Sequence, residues 1–320
     1  MSGQKSPRPA LRERRVTRPV FIIGAPRSGT SFVSEAFSCH EDLGWVPIYM
    51  NRYPARTCFA VLNRLLDLPF VGPHLRGQKK QRKGLLALVR HLLPYSAESY
   101  PFWEYHCGPK MLHEFLADAR ASDQERRSAR LGVAEVLRMS GKPRFFAKLT
   151  GPPRISYLAS IFPDALFLHL VRDPRAVVAS LLSVGFWRQG GGFEKPWWQG
   201  GLTEADLDEW QKSGKAPEVL AAVQWRAILA HAQHEGTTLG PTQYRELRYE
   251  DFVKRPLELL DELFGFCDLP PSTRSTDNLR RAGLRPGLNS KYLKILTPEQ
   301  ISRVENVTRE TAESRGYEIS

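Results

Sequence analysis

The sequence predicts an α/β fold with three layers around a mainly parallel central sheet. Short β-branched and apolar segments alternate with segments of helical periodicity, which is the chain order of parallel-sheet proteins. Residues 165–171 are almost wholly apolar, as expected of a parallel strand that is buried on both faces. The length of 320 residues is sufficient for one large domain with a sizeable core.

The predicted elements follow in chain order. We expect strands at 20–23, 144–149, 165–171 and 243–249, and helices beginning near 30, 153, 174, 217, 256 and 298. Asp173 is placed to cap the helix that begins at Pro174. Thr297 and Gln300 form the pattern of a capping box at the last helix. These capping signals predict where two helices begin in the second half of the chain.

The predicted organisation is a flexible basic tail at 1–18 followed by a single domain at 19–320. Insertions interrupt this domain at about 45–135 and 185–215. The first of them is rich in proline and contains short helical runs such as 84–93. We expect it to cover one face of the domain.

The net charge of the chain indicates which kind of ligand it binds. Lys plus Arg is 46 and Asp plus Glu is 34, a net charge of +12, which favours an anionic ligand. The basic clusters at 12–18 and 79–83 lack interleaved aromatic residues, so they are interpreted as solvated surface and not as a nucleic-acid site.

No apolar run has the length of a membrane span or a signal peptide, which predicts a cytoplasmic protein. The cysteines are scattered, and we expect buried thiols with no disulfide and no metal site: Cys39, Cys58, Cys107 and Cys267.

The loop between the first strand and the first helix has the spacing of a phosphate-binding loop. Gly24 and Gly29 stand at the P-loop separation, and Ser31 ends the motif. Backbone N–H groups in such a loop, together with the helix dipole, bind an anion. Thr30 stands where a Walker motif has lysine, and the nearby cation is Arg27. The loop is therefore predicted to hold a smaller or less charged group than a triphosphate.

A second candidate anion site follows the strand at 165–171. Arg172 lies at the carboxyl end of this strand, where open α/β sheets bind ligands, and Ser180 lies two helical turns later. Both side chains are predicted to reach one phosphate. Taken alone, the segment is better explained as a surface pair between Arg172 and the capping residue Asp173.

Together these segments resemble the sulfotransferases that use 3′-phosphoadenosine 5′-phosphosulfate (PAPS), in their bacterial and carbohydrate-type branch. The family's 5′-phosphosulfate loop matches Pro26, Arg27, Ser28, Gly29, Thr30 and Ser31. Its 3′-phosphate site matches Arg172 and Ser180, and its structural landmark matches 247–252. Lys148 matches a lysine that is common in the family, and 289–293, with Lys291, is similar to the shorter C-terminal contact of this branch. The resemblance implies a P-loop-like fold.

The resemblance also implies a reaction: in-line transfer of a sulfuryl group from PAPS to an acceptor hydroxyl or amine, leaving 3′-phosphoadenosine 5′-phosphate (PAP), without a metal. Arg27 and Lys148 would stabilise the charge that grows on the leaving phosphate. The general base is expected among Glu98, Glu104 and His106, with Glu98 favoured. The acceptor is unassigned and includes glycan, lipid and small-molecule hydroxyls.

Two other functions are consistent with parts of the sequence. A P-loop nucleotide kinase or NTPase requires the Walker lysine, which Thr30 replaces. A non-catalytic polyanion-binding module would use the net charge of +12. Separately, the stretch from Trp187 to Trp198 combines aromatic residues with glycines, which predicts either a lid over the acceptor or a mobile surface loop.

Overall fold

The computed structural model describes residues 16–70, 72–75, 94–283 and 289–319. Its central sheet has five strands in the order β2-β3-β1-β4-β5, and every pairing is parallel. The strands are β1 Val20–Gly24, β2 Leu43–Gly44, β3 Arg144–Thr150, β4 Leu166–Val171 and β5 Tyr244–Arg248. This arrangement confirms the predicted α/β class and adds β2, a two-residue strand that the sequence did not predict.

Helices cover both faces of this sheet. The α-helices are α1 Thr30–Ser38, α2 Gly72–Leu75, α3 Tyr100–Cys107, α4 Lys110–His113, α5 Asp123–Ser140, α6 Ile155–Ile161, α7 Pro174–Leu182, α8 Gly185–Gln189, α9 Glu204–Lys212, α10 Pro217–Leu239, α11 Tyr249–Lys254, α12 Pro256–Phe266, α13 Thr273–Ala282 and α14 Pro298–Glu313. Segments of 3-10 helix lie at Ile48–Asn51, Thr57–Asp67 and Asn289–Lys294. The two layers of helices and the sheet between them make up the predicted three layers.

The strand β1 is the centre of the core because both of its faces are buried. Phe21 and Ile23 point into an aromatic cluster formed with α3, α5 and α6. Val20 and Ile22 alternate with them and pack against residues of α1 and α12 on the opposite face. A wholly apolar strand of this kind is stable only in the middle of a parallel sheet.

The predicted helix starts are confirmed at two capping residues. The Asp173 carboxylate accepts a hydrogen bond from the backbone N–H of Arg175 at 2.9 Å, and Pro174 occupies the first turn. Thr297 and Gln300 form a complete capping box at α14. Each cap satisfies N–H groups that the first helical turn leaves without a partner.

Several sequence expectations lie outside the described residues. These are the helical run at 84–93, the basic cluster at 79–83 and residues 1–15 of the predicted tail. Arg18, at the end of that tail, is described and forms an ion pair with Asp268 at 2.8 Å. The expectation of four buried thiols was wrong for Cys58, which is exposed because it lies on the outer side of a 3-10 helix. Among the described helices, none combines the length and the apolar character needed to cross a bilayer.

Candidate functional site

The loop after β1 forms at the point where the sheet topology favours a ligand site. The strand β1 lies between β3 and β4, so the chain leaves β1 at the switch point of the sheet. Arg27 and Gly29 both adopt positive φ, 73° and 86°, which bends the loop into the start of α1. No side chain among the described residues caps α1, and the N–H of Phe32 donates to the Gly29 carbonyl oxygen at 3.0 Å. The N–H groups of Thr30 and Ser31 are therefore available to an anion.

A buried hydroxyl in the same loop lacks a protein partner. The Ser28 side chain is 0% exposed, and its Oγ has no hydrogen bond within the part of the chain that the structure describes. A buried hydroxyl without a partner is unfavourable, by about 1–3 kcal/mol. A ligand oxygen that accepted a hydrogen bond from this hydroxyl would remove the cost, and the neighbouring N–H groups at the start of α1 would favour an anion in the same place.

The two motifs that the sequence keeps far apart meet at this loop. The guanidinium Nε of Arg27 donates to Ser180 Oγ at 2.8 Å. Arg172 donates from Nη1 to the backbone carbonyl oxygen of Arg27 at 3.0 Å. Arg27 and Arg172 line the same cleft. The structure therefore brings together the three side chains that the sequence predicts for two separate phosphates.

Arg172 is held in place by residues from the C-terminal part of the chain. Its Nε donates to Asn289 Oδ1 at 2.9 Å, and its guanidinium lies 4.5 Å from the centre of the Tyr249 ring. Glu250 accepts hydrogen bonds from the Asn289 amide and, at 2.9 Å, from the Tyr317 hydroxyl. The predicted landmark at 247–252 thus acts as a support for Arg172.

The cleft between these elements has a volume of about 670 Å³. Its lining consists of Pro26, Arg27, Gly29, Thr30, Ser31, Phe32, Glu98, Tyr100, Leu112, Thr150, Arg172, Phe186, Trp197 and Trp198. A cleft of this size is in the range of small-molecule sites. It joins the loop after β1 with the end of β3 and with the aromatic segment after α7.

A lysine and a carboxylate meet at the end of β3. Lys148 Nζ lies 3.1 Å from Glu98 Oε1 and 3.4 Å from Ser31 Oγ. Glu98 Oε2 accepts a hydrogen bond from Thr150 Oγ1 at 2.8 Å, and the carbonyl oxygen of Thr150 accepts one from Tyr100. Among the three base candidates predicted from the sequence, Glu98 is the one that lines the cleft.

The other two base candidates lie away from this lining. His106 bonds Ser128 on α5 through Nδ1 at 2.8 Å, and burial lowers its pKa to about 4. Glu104 lies on α3 and is not among the described residues of the cleft. Lys291 is exposed on the 3-10 helix that begins at Asn289, the residue that bonds Arg172.

A second carboxylate near Lys148 was not predicted from the sequence. Glu35 lies on α1, one helical turn after Ser31. Both of its carboxylate oxygens are buried and have no hydrogen-bond partner among the described residues. Burial raises its pKa to about 8, and the nearby charge of Lys148 opposes this rise. The group is therefore largely neutral at pH 7.

The predicted lid segment is packed against the cleft. Trp187 is 0% exposed and stacks on Trp197, with ring centres 5.5 Å apart and planes 17° from parallel. Gly190 and Gly192 allow this packing, because a Cβ at either position would overlap one of the two indoles. Trp197 and Trp198 face the cleft.

Some residues of the site were not predicted from the sequence and are recognised from their contacts in three dimensions. Thr150 is the last residue of β3, and its position at a strand end is a signal that the sequence did contain. Tyr100 and Glu35 carry no such signal, because their roles depend on which segments pack together in three dimensions.

The chain is similar to known proteins in its family match, its sequence and its fold. Residues 19–273 match the sulfotransferase family. An uncharacterized protein of Aquifex aeolicus (strain VF5) is 25% identical over 307 residues, covering 88% of this chain and 31% of that protein. Carbohydrate sulfotransferase 3 of Mus musculus is 26% identical over 294 residues, covering 82% of this chain and 57% of that protein. The chain thus spans about a third and just over half of these two curated relatives.

Solved structures show the same fold. Sulfotransferase STF9 from Mycobacterium avium aligns with a TM-score of 0.57 at 16% identity, covering 95% of this chain and 78% of that one. The sulfotransferase domain from the curacin biosynthetic pathway aligns with a TM-score of 0.50 at 15% identity, covering 96% of this chain and 100% of that one. Because the family match extends over most of the sequence, the chain belongs to the sulfotransferase family.

Proposed function

We propose that this protein transfers a sulfuryl group from PAPS to an acceptor hydroxyl or amine. The observation that carries the proposal is the contact between the two predicted anion-binding motifs beside one cleft. Arg27 bonds Ser180 at 2.8 Å, and Arg172 bonds the backbone of Arg27 at 3.0 Å. A ligand with phosphate groups at two separate positions matches this pair of sites.

Residues in the cleft lining and directly behind it fit the two ends of such a donor. At the 5′ end, the uncapped start of α1, the buried Ser28 hydroxyl and the Arg27 side chain offer donors to a phosphosulfate. The loop residues proposed to hold it are Pro26, Arg27, Ser28, Gly29, Thr30 and Ser31. At the 3′ end, Arg172 and Ser180 are proposed to hold the second phosphate, with Lys291 as an additional contact.

When bound, PAPS supplies the sulfuryl group, which passes to the acceptor as its bond to the 5′-phosphate breaks. Arg27 and Lys148 place positive charge where the leaving phosphate becomes more negative. Glu98 is proposed as the general base, because its carboxylate lines the cleft within reach of an acceptor. It takes the proton that the acceptor hydroxyl loses. His106 and Glu104 are the weaker candidates for this role because neither lines the cleft.

The name of one relative indicates which acceptors to test first. The mouse protein is named a carbohydrate sulfotransferase, so sugar hydroxyls come first in an acceptor screen. Phenols, lipid hydroxyls and amines follow. Each product is identified by the mass that one sulfuryl group adds.

A thermal-shift titration separates this proposal from its alternatives. The purified protein is heated with PAP, with ATP and Mg²⁺, or with inorganic polyphosphate. We expect PAP to raise the melting temperature most, since only a ligand that binds the folded state stabilises it. A larger shift with ATP and Mg²⁺ would favour a kinase or NTPase. A shift with polyphosphate alone, steeply dependent on salt, would favour a polyanion-binding module.

A further inference from the structure

The cleft contains a group of ring-bearing and apolar side chains outside the donor loop. They are Tyr100, Leu112, Phe186, Trp197 and Trp198, which we call the ring wall. The charged residues among the described lining are Arg27, Glu98 and Arg172, and each already has a protein partner. The lining therefore offers an acceptor flat apolar surfaces and one carboxylate, and no cation beyond those assigned to the donor.

Packing within the segment after α7 holds the Trp197 and Phe186 side of the ring wall in place. Trp197 stacks on the buried Trp187, and Phe186 meets the Trp197 indole edge-on, with ring centres 6.0 Å apart and planes at 81°. The backbone N–H of Trp197 donates to Gln224 Oε1 at 2.9 Å. Gln224 is 1% exposed on the long helix α10, so the Trp197 backbone is tied to the core.

The ring wall lies next to the donor loop, through contacts made by Trp198. Gly151 follows β3 with φ of 104°, and a Cβ there would come within 2.7 Å of the Trp198 ring. The Gly151 N–H donates to the carbonyl oxygen of Gly24, at the end of β1, at 2.9 Å. The Trp198 indole therefore lies directly against the backbone that positions the loop after β1.

A buried cation fixes the opposite part of the wall. Arg154 is 0% exposed, and its guanidinium donates to the carbonyl oxygens of Leu112, Glu114 and Pro152 at 3.0–3.4 Å. The same guanidinium lies 5.7 Å from the centre of the Tyr100 ring. Burying a charge is costly unless it is hydrogen-bonded, so these contacts hold Leu112 and Tyr100 in one arrangement.

We propose that the acceptor is an uncharged molecule whose reacting hydroxyl is on a ring with a flat apolar face, and that this face stacks on the ring wall at Trp197 and Phe186. The inference deepens the proposed function and rests on it. Aromatic side chains bind flat rings, saturated or aromatic, by burying apolar area in a defined orientation. An acceptor held in this way has its hydroxyl positioned by the same backbone that positions the donor loop, while Glu98 is present to take the proton.

Matched acceptors test the inference with the PAPS concentration held at saturation. Cyclohexanol and 1-hexanol differ in the ring, while methyl β-D-glucopyranoside and glucose 6-phosphate differ in charge. The arm with 2-naphthol and the arm with the methyl glucoside distinguish an aromatic ring from a sugar ring. We expect a kcat/KM at least roughly tenfold higher for the neutral ring compounds, about the effect of one stacked ring.

Variants of the wall complete the test. Trp197→Leu and Phe186→Leu should each raise the acceptor KM roughly tenfold and leave the KM for PAPS unchanged, whereas Trp197→Phe retains most of the affinity. Phe70→Leu is the control, since Phe70 is 88% exposed and outside the described lining. Melting temperatures and PAP affinities of all variants, by calorimetry, identify any that are misfolded.

The outcomes distinguish the two proposals. If PAP binds but 1-hexanol or glucose 6-phosphate is used as well as the ring compounds, the ring-acceptor inference is wrong and the proposed function stands. The inference is equally wrong if neither leucine variant changes the acceptor KM, or if no ring compound is sulfated. If PAP does not bind the wild-type protein, the proposed function fails and the inference fails with it.

Discussion

Arg27 and Ser180 are 153 residues apart in the sequence, and the guanidinium Nε of Arg27 donates to the Ser180 hydroxyl at 2.8 Å. The first residue belongs to the loop after β1 and the second to α7, which follows β4. Because β1 and β4 are neighbours in the sheet, the segments that follow them lie side by side, and the two motifs are in direct contact. The cation of one proposed phosphate site is thus held by the hydroxyl of the other.

The Arg27 side chain is expected to contribute strongly to donor binding. Replacing it in Arg27→Ala removes a charge-assisted hydrogen bond, worth roughly 1.5–3 kcal/mol, so the PAP affinity should fall about tenfold or more. Isothermal titration calorimetry measures the change. Arg52→Ala is the matched control, because Arg52 is exposed and outside the described cleft lining. Equal PAP affinities in the two variants would remove Arg27 from the site.

The Glu98 carboxylate is expected to affect turnover and not donor binding. Glu98→Gln keeps the size of the side chain and an oxygen for the Thr150 hydroxyl, but it has no carboxylate to accept a proton. The turnover number should fall roughly 10²–10⁴-fold, which is the usual contribution of a general base. Product mass measures turnover, and calorimetry with PAP measures binding. A variant that retains full turnover contradicts the assignment of Glu98, and Glu104→Gln is its control.

Gly29 is expected to be intolerant of any side chain. Its φ of 86° is strained for other residues, and a Cβ would overlap the Tyr249 ring that supports Arg172. Gly29→Ala should lower the free energy of unfolding by at least about 1–3 kcal/mol. Gly265→Ala is the control, since no described atom lies within 4 Å of a Cβ at that position on α12. Chemical denaturation compares the two, and an equally stable Gly29→Ala protein would contradict the loop geometry.

Because of Glu35, the free energy of unfolding is expected to fall as the pH rises. The Glu35 pKa rises from 4.5 to about 8 in the folded protein, so the unfolded chain releases this proton first as the pH rises. The contribution to stability is therefore fully present below pH 4.5 and is lost as the pH rises through 8, by an amount on the order of 5 kcal/mol at most. Glu35→Gln removes this loss.

Melting curves at two pH values check this expectation. The Glu35→Gln protein should melt at a higher temperature than the wild type at pH 9, with a much smaller difference at pH 5. Glu194→Gln provides the control because Glu194 is exposed. A Glu35→Gln effect that is the same at both pH values would show that the carboxylate is not buried in its neutral form.

The sequence predicted the parts of the fold that depend on local signals. Strand β4 is a continuous apolar run, and Asp173 with Pro174 marks the start of α7, so both were located to within a residue or two. Strand β2 has only two residues, Leu43 and Gly44, and no pattern of two residues identifies a strand.

The site was predictable to the extent that its residues stand at strand ends or in the glycine loop. Arg27 and Arg172 met these conditions, Ser180 was predicted from its separation from Arg172, and the three residues come together in the structure. Glu35 and the Glu250–Asn289 contact did not, because burial and long-range packing decide their roles. His106 was chosen for its chemistry, and its packing against Ser128 depends on a helix pairing that the sequence does not encode locally.

Comparing PAP with adenosine 5′-phosphate (AMP), which lacks the 3′-phosphate, tests the central claim most directly. Calorimetry should find that PAP binds the wild-type protein at least roughly tenfold more tightly than AMP, since Arg172 and Ser180 add charge-assisted hydrogen bonds. In Ser180→Ala the PAP affinity should fall while the AMP affinity changes little. Equal affinities for the two nucleotides in the wild-type protein would contradict a single site that binds both phosphates.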